Sequence, residues 1–199
     1  MDIITMIIAA LFSQNFVLVQ FLGICPFLGV SKKIDSALGM GIAVTAVMVL
    51  TCLVTYPIYA YVLIPLKIQY LYILVFILVI ASLVQMLEMF LKKFSPGLYS
   101  SLGIYLPLVT TNCAILGIAK TVTATVSEGA IVSMAFSLGG AVLSGLLYGL
   151  GFTLAIVLLA GLRSKVDKLN IAKPLRGFPI TLITACFMAM AFYVFTLVA

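Results

Sequence analysis

Cys25-Pro26-Phe27-Leu28-Gly29-Val30-Ser31-Lys32 and Cys113-Ala114-Ile115-Leu116-Gly117-Ile118-Ala119-Lys120 are two versions of one octet, separated by a constant offset of 88. Four of the eight positions are identical and two more are conservative. Leu and Gly are frequent in this chain, so their agreement carries little weight. Only 4 Cys are present and charged residues make up 8% of the chain, so the paired Cys and Lys are the informative positions. Internal repetition of this kind points to a chain assembled from two related halves.

Outward from the octets the chain is apolar. Of 199 residues 65% are hydrophobic, more than a water-soluble domain of this length can hide. The excess must face lipid. Six apolar segments, each near the ~20 residues that a spanning helix needs, can be marked. They run roughly over 3–24, 37–64, 68–91, 102–119, 130–162 and 178–199. The second and fifth are long enough to tilt, or to include an interfacial turn near Pro57 and Pro65 or near Gly149 and Gly151. No Lys or Arg precedes the first segment and no small-residue cleavage site follows it, so it is expected to be a permanent part of the fold.

The charges set a topology rather than a nucleic-acid surface. Lys32, Lys33, Lys92, Lys93, Arg163, Lys165, Lys168, Lys173 and Arg176 fall in the odd-numbered connections, against Lys67 and Lys120 in the even ones. This asymmetry puts the odd connections in the cytoplasm and both termini outside. Three crossings per half leave the second half upside down relative to the first. The expected fold is therefore an all-α integral membrane protein, one domain over 1–199. It consists of two inverted three-helix repeats, about 1–95 and 96–199, with broken half-helices at the midplane.

The octets fit the broken positions. A helical octet puts each Cys about 10 Å from the surface marked by its Lys, against a half-thickness of about 15 Å. Pro26 suits the first position of a helix, which would make Cys25 the cap of a half-helix running to Lys32. Thr110-Thr111-Asn112 before Cys113, downstream of Pro107, is a cluster that favours helix starts. A helix start presents free N–H groups and a partial positive charge, an environment that favours thiolates. Two midplane cysteines suit an iron–sulfur cluster, with the remaining ligands drawn from a partner because the chain has no His. Simple packing and an occasional disulfide are the alternatives at this level. A zinc site has the same ligand appetite but no redox role.

Other features read more plainly. Cys52 and Cys186 have no counterpart in the repeat and are expected to be packing residues. Glu88, four and five residues from Lys92 and Lys93, suits an interfacial pair better than an ion path. Gly139, Gly140, Gly145, Gly149 and Gly151 stand at small-residue spacings suited to close helix packing. There is no phosphate loop, nucleotide fingerprint or triad, and hence no active site for a soluble substrate. From the residues alone, a small inverted-repeat secondary transporter and a structural scaffold are the rival classes.

The stretches Asn15–Lys33, Leu102–Gly117 and Leu175–Ala185 resemble the A subunits of the Rnf complex, and the likeness runs end to end. The E subunits of the sodium-pumping NADH–quinone reductases are similar almost as closely and stand as the alternative. The resemblance implies a subunit of a bacterial plasma-membrane complex that passes electrons between ferredoxin and NAD and moves sodium ions or protons. It implies a homologous E-type subunit of opposite orientation as partner, alongside other membrane, flavin and iron–sulfur subunits. It further implies a [2Fe–2S] cluster shared between the two subunits, to which this chain gives Cys25 and Cys113.

Overall fold

The structure is a computed structural model that describes residues 15–31, 34–63, 69–94, 106–127, 138–166 and 177–198. These residues are helical or in turns, with no strand among them. In chain order the helices are α1 (Ile24–Val30), α2 (Ile34–Ile58), α3 (Tyr72–Phe94), α4 (Leu106–Thr110), α5 (Cys113–Ser127), α6 (Leu138–Val166) and α7 (Phe178–Val198).

Three helices, over Ile34–Ile58, Tyr72–Met89 and Gly139–Val166, are long and apolar enough to cross a membrane. These correspond to the second, third and fifth expected segments. Two shorter apolar stretches, Pro107–Val122, which spans most of α4 and of α5, and Phe178–Val194, fall in the fourth and sixth. Lys32, the residues before Asn15 and residues 128–137 lie outside the described residues, as do most of the connections that carry the topology charges.

One expectation needs correction. The first segment does not run as a helix to Ile24: residues 16–20 and 22–23 are turns and bends, and the helix begins only at Ile24. The break expected before Cys113 is present: within the fourth segment α4 stops at Thr110 and α5 starts at Cys113. Of the two readings of the fifth segment, tilt or a turn near Gly149 and Gly151, the first fits, because α6 passes through both glycines over 29 residues. At 1.5 Å per residue α6 is about 43 Å long, so it must tilt in a core of about 30 Å. Near Pro57 the expected irregularity is present: α2 carries Pro57 in its last turn and passes into a π-helical turn, Tyr59–Leu63. Proline removes a backbone donor there, and a π turn is a usual accommodation of a broken ladder.

The centre of the fold is the packing of α2 on α6. A methyl group on Gly41 would fall 2.6 Å from Thr153 Cγ2, and one on Gly149 would fall 2.7 Å from Thr45 Cγ2. Gly145 faces Cys52 Sγ at 3.0 Å in the same sense. Partners on α6 fall in number as those on α2 rise, so the helices are antiparallel. The Thr45 and Thr153 hydroxyls lie 3.2 Å apart at the crossing. Each also bonds the carbonyl four residues back, Gly41 O at 2.8 Å and Gly149 O at 2.9 Å. Small residues bring the backbones close, and dispersion with hydroxyl bonds then replaces the missing hydrophobic drive.

The remaining spans are peripheral. Only 17% of the Tyr72–Met89 window is buried, against 44% for the windows in α2 and α6. Leu74, Leu78, Met86 and Met89 on α3, with Phe187 and Met190 on α7, leave more than half their surface open. Apolar residues this exposed need lipid or protein, not water, around them.

Candidate functional site

Asn15 fixes the approach to Cys25. Its side chain, 1% exposed, donates from Nδ2 to Gly151 O at 3.0 Å and accepts at Oδ1 from the amides of Val17 at 3.0 Å and Leu18 at 3.4 Å. A buried amide must satisfy its polar atoms, and here that requirement ties an apolar turn to the middle of α6. The Leu22 amide closes the turn on Phe16 O at 2.8 Å.

Two left-handed residues then redirect the chain, Phe21 at φ 56° and Gly23 at φ 81°. Gly23 is the cap residue of α1, with no side-chain cap. This corrects the expectation that Cys25 caps the half-helix. Cys25 is the second helical residue and Pro26 the third. Both lie in the first turn, where a missing N–H costs nothing because no carbonyl precedes to receive it.

Cys113 stands at a matching break. Thr111 bonds back to Pro107 O through its amide at 3.1 Å and its hydroxyl at 2.9 Å, ending α4. Asn112 Oδ1 then accepts the Ala114 amide at 3.1 Å, capping α5 with Cys113 as its first residue. The expected cluster of helix-starting residues does this work.

The two helix starts abut. The Gly23 amide donates to Cys113 Sγ at 2.9 Å. A methyl group on Gly23 would meet Asn112 Oδ1 at 3.0 Å, Phe152 at 3.1 Å and Ala114 at 3.2 Å, so this close approach and the positive φ both require glycine. The α-carbons of Gly23 and Cys25 can be no more than about 7 Å apart along the chain, which keeps the Cys25 backbone within roughly 11 Å of Cys113 Sγ. Deeper in each half-helix the contacts are reciprocal: Gly117 faces Leu22, and Gly29 faces Leu108.

Cys25 and Cys113 are both exposed on the isolated chain. No group of three or more His, Cys, Asp or Glu occurs among the described residues. Two accessible soft thiols could hold a thiophilic metal or give two ligands to a cluster. Cys52 is buried in the α2–α6 crossing. Cys186 is exposed and lines an apolar groove of about 500 Å³ between α7 and the turn bearing Phe21. Glu88 lies one helical turn before Lys92 in the last part of α3.

Sequence reasoning missed Asn15, Gly23 and Arg163 as parts of this site. A lone Asn in an apolar run and a Gly two residues before a Cys were the available signals. Arg163, on α6, donates from its Nη1 to Leu28 O at 3.4 Å and Ser31 Oγ at 3.3 Å.

Known proteins give a consistent answer. Residues 3–199 match the family described as Rnf-Nqr subunit, membrane protein. The chain is 48% identical over 203 residues to the A subunit of the Na(+)-translocating ferredoxin:NAD(+) oxidoreductase complex of Acetobacterium woodii, covering 98% of this chain and 97% of that one. It is 49% identical over 191 residues to the A subunit of the ion-translocating oxidoreductase complex of Syntrophotalea carbinolica, covering 96% and 94%. The corresponding protein of Actinobacillus pleuropneumoniae serotype 5b is 48% identical over 195 residues, with 98% and 96% covered. The broken helices, the apolar exterior and these end-to-end matches together make the chain a member of the Rnf-Nqr family of membrane-protein subunits.

Proposed function

We propose that this chain is the A-type membrane subunit of an ion-translocating ferredoxin:NAD oxidoreductase and relays electrons across a bacterial plasma membrane. In this reading Cys25 and Cys113 give two of the four ligands of a [2Fe–2S] cluster, and a homologous E-type subunit of opposite orientation gives the other two. When bound, the cluster supplies one-electron transfer within the bilayer. The observation that carries the reading is the bond from the Gly23 amide to Cys113 Sγ, because it joins the starts of the two half-helices that bear the only repeated cysteines. The names of the relatives support the assignment to such a complex.

The chain's own residues supply position and enclosure. Asn15 and Gly23 fix the turn before Cys25, and Asn112 fixes the start of α5 at Cys113. Phe27, Ile115 and Ile118, all nearly fully buried, back the two half-helices with apolar surface. The arrangement of α2 and α6 supports the inverted repeat. At an offset of 108, Gly41 and Thr45 correspond to Gly149 and Thr153, and each Gly receives the other helix's Thr. Reciprocal contacts between antiparallel helices are what a two-fold axis in the membrane plane produces. Ion movement would follow if the cluster's charge biased one arrangement of the two halves over the other. Both termini lie outside in this topology.

The test is anaerobic purification of the complex with its partners. Iron, visible absorption and an EPR signal on reduction are expected. Cys25→Ser and Cys113→Ser should each abolish electron transfer while the subunits still assemble. Retained turnover in either variant defeats the relay.

A further inference from the structure

The half-helix that carries Cys25 is held from its far end by a charge. Ser31 is fully buried, and its Oγ lies 3.4 Å from Leu28 O. The Arg163 guanidinium reaches both atoms, at 3.3 and 3.4 Å, from α6. Leu28 O is among the last four carbonyls of α1, which have no partner within the helix. A cation placed there both satisfies the carbonyl and complements the negative end of the helix. By the 108 offset that relates Gly41 to Gly149 and Thr45 to Thr153, the α2 residue matching Arg163 is Thr55, a buried hydroxyl that bonds Thr51 O at 2.7 Å. The matching position on α2 therefore carries no charge.

We propose that Arg163 is a positioning residue for Cys25, clamping the carbonyl end of α1 and setting the electrostatic potential at the sulfur. This rests on the cluster reading above. Three residues of helix separate Cys25 from Leu28, so the guanidinium stands on the order of 10 Å from the sulfur. A fixed positive charge at that distance, in surroundings poorer in water than the surface, favours the reduced and more negative form of a bound cluster. Loss of the charge then lowers the midpoint potential, and loss of the fork alone does not.

The experiment is an EPR-monitored redox titration of the assembled complex, with Arg163→Gln and Arg163→Lys compared at equal iron content. R163Q is expected to keep the cluster with a lowered midpoint potential, and R163K to stay near the wild type. R163Q with a full cluster and the wild-type potential overturns the proposal. If R163Q does not assemble, R163K decides: recovery of assembly and potential supports the clamp, and failure of both variants to assemble reduces Arg163 to a packing residue and overturns it. A wild-type complex without iron or signal is a separate result, visible before any variant is scored, and it overturns the cluster reading together with this one.

Discussion

Gly149→Ala probes the α2–α6 crossing directly. The added methyl would sit 2.7 Å from Thr45 Cγ2 and 2.9 Å from Thr45 Cα. Carbon atoms settle at about 3.5–4.0 Å, so the gap is short by roughly 1 Å, and one obstacle is backbone that no rotamer change can move. Overpacking of this kind costs about 1–3 kcal/mol. Separating the helices also breaks the Thr45–Thr153 contact at 3.2 Å. In membrane proteins such a bond is worth about 0.6 kcal/mol on average. Against this, Ala in place of a helical Gly returns up to about 1 kcal/mol. The net is a loss of roughly 0.6–2.6 kcal/mol. Gly161 is the control, since nothing lies within 4 Å of a methyl group there. Gly161→Ala should be neutral or stabilising by up to about 1 kcal/mol. The assay is thermal unfolding in detergent, followed by labelling of Cys52, which is fully buried at the same crossing. If Gly149→Ala is as stable as Gly161→Ala, the crossing does not limit stability and the reasoning fails.

Asn15→Ala removes three hydrogen bonds and leaves the turn amides of Val17 and Leu18 without their side-chain acceptor; a loss of about 1–3 kcal/mol and a drop in iron per complex are expected, read by thermal unfolding and metal analysis. Gly23→Ala forces a side chain into the left-handed region at about 1–2 kcal/mol and crowds Asn112, so cluster occupancy should fall further than in Gly161→Ala, measured as EPR spin count per protein. Cys52→Ala and Cys186→Ser should both retain the EPR signal and turnover, with Cys52→Ala losing only packing stability; disappearance of the signal in either would enlarge the ligand set beyond the octets.

The octet was legible because two rare residue types recur together at Cys25, Lys32, Cys113 and Lys120. The repeat did not extend further for a reason now visible. In the proposed repeat the long helices correspond at 108 rather than 88, a difference of 20 residues falling between octet and α6 in the second half. A constant-offset comparison loses Gly41, Thr45, Gly149 and Thr153 there. The break before Cys113 was readable, since Thr111 and Asn112 carry local capping chemistry. The turn before Cys25 was not. Hydropathy does not separate an apolar turn from an apolar helix, and the bond that holds the turn joins residues 136 apart in sequence. Arg163 read only as a topology signal, because its target carbonyl has no sequence signature.

The glycine–threonine crossing also predicts a pattern of permitted variation. Positions 41 and 153 share one slot of fixed volume, and 45 and 149 share another. A lineage that enlarges one member of a slot must shrink the opposite member, so change should arrive in complementary pairs across the two halves. Exchanging the occupants of one slot, with Thr at 41 and Gly at 153, should therefore disturb packing less than Gly41→Thr alone.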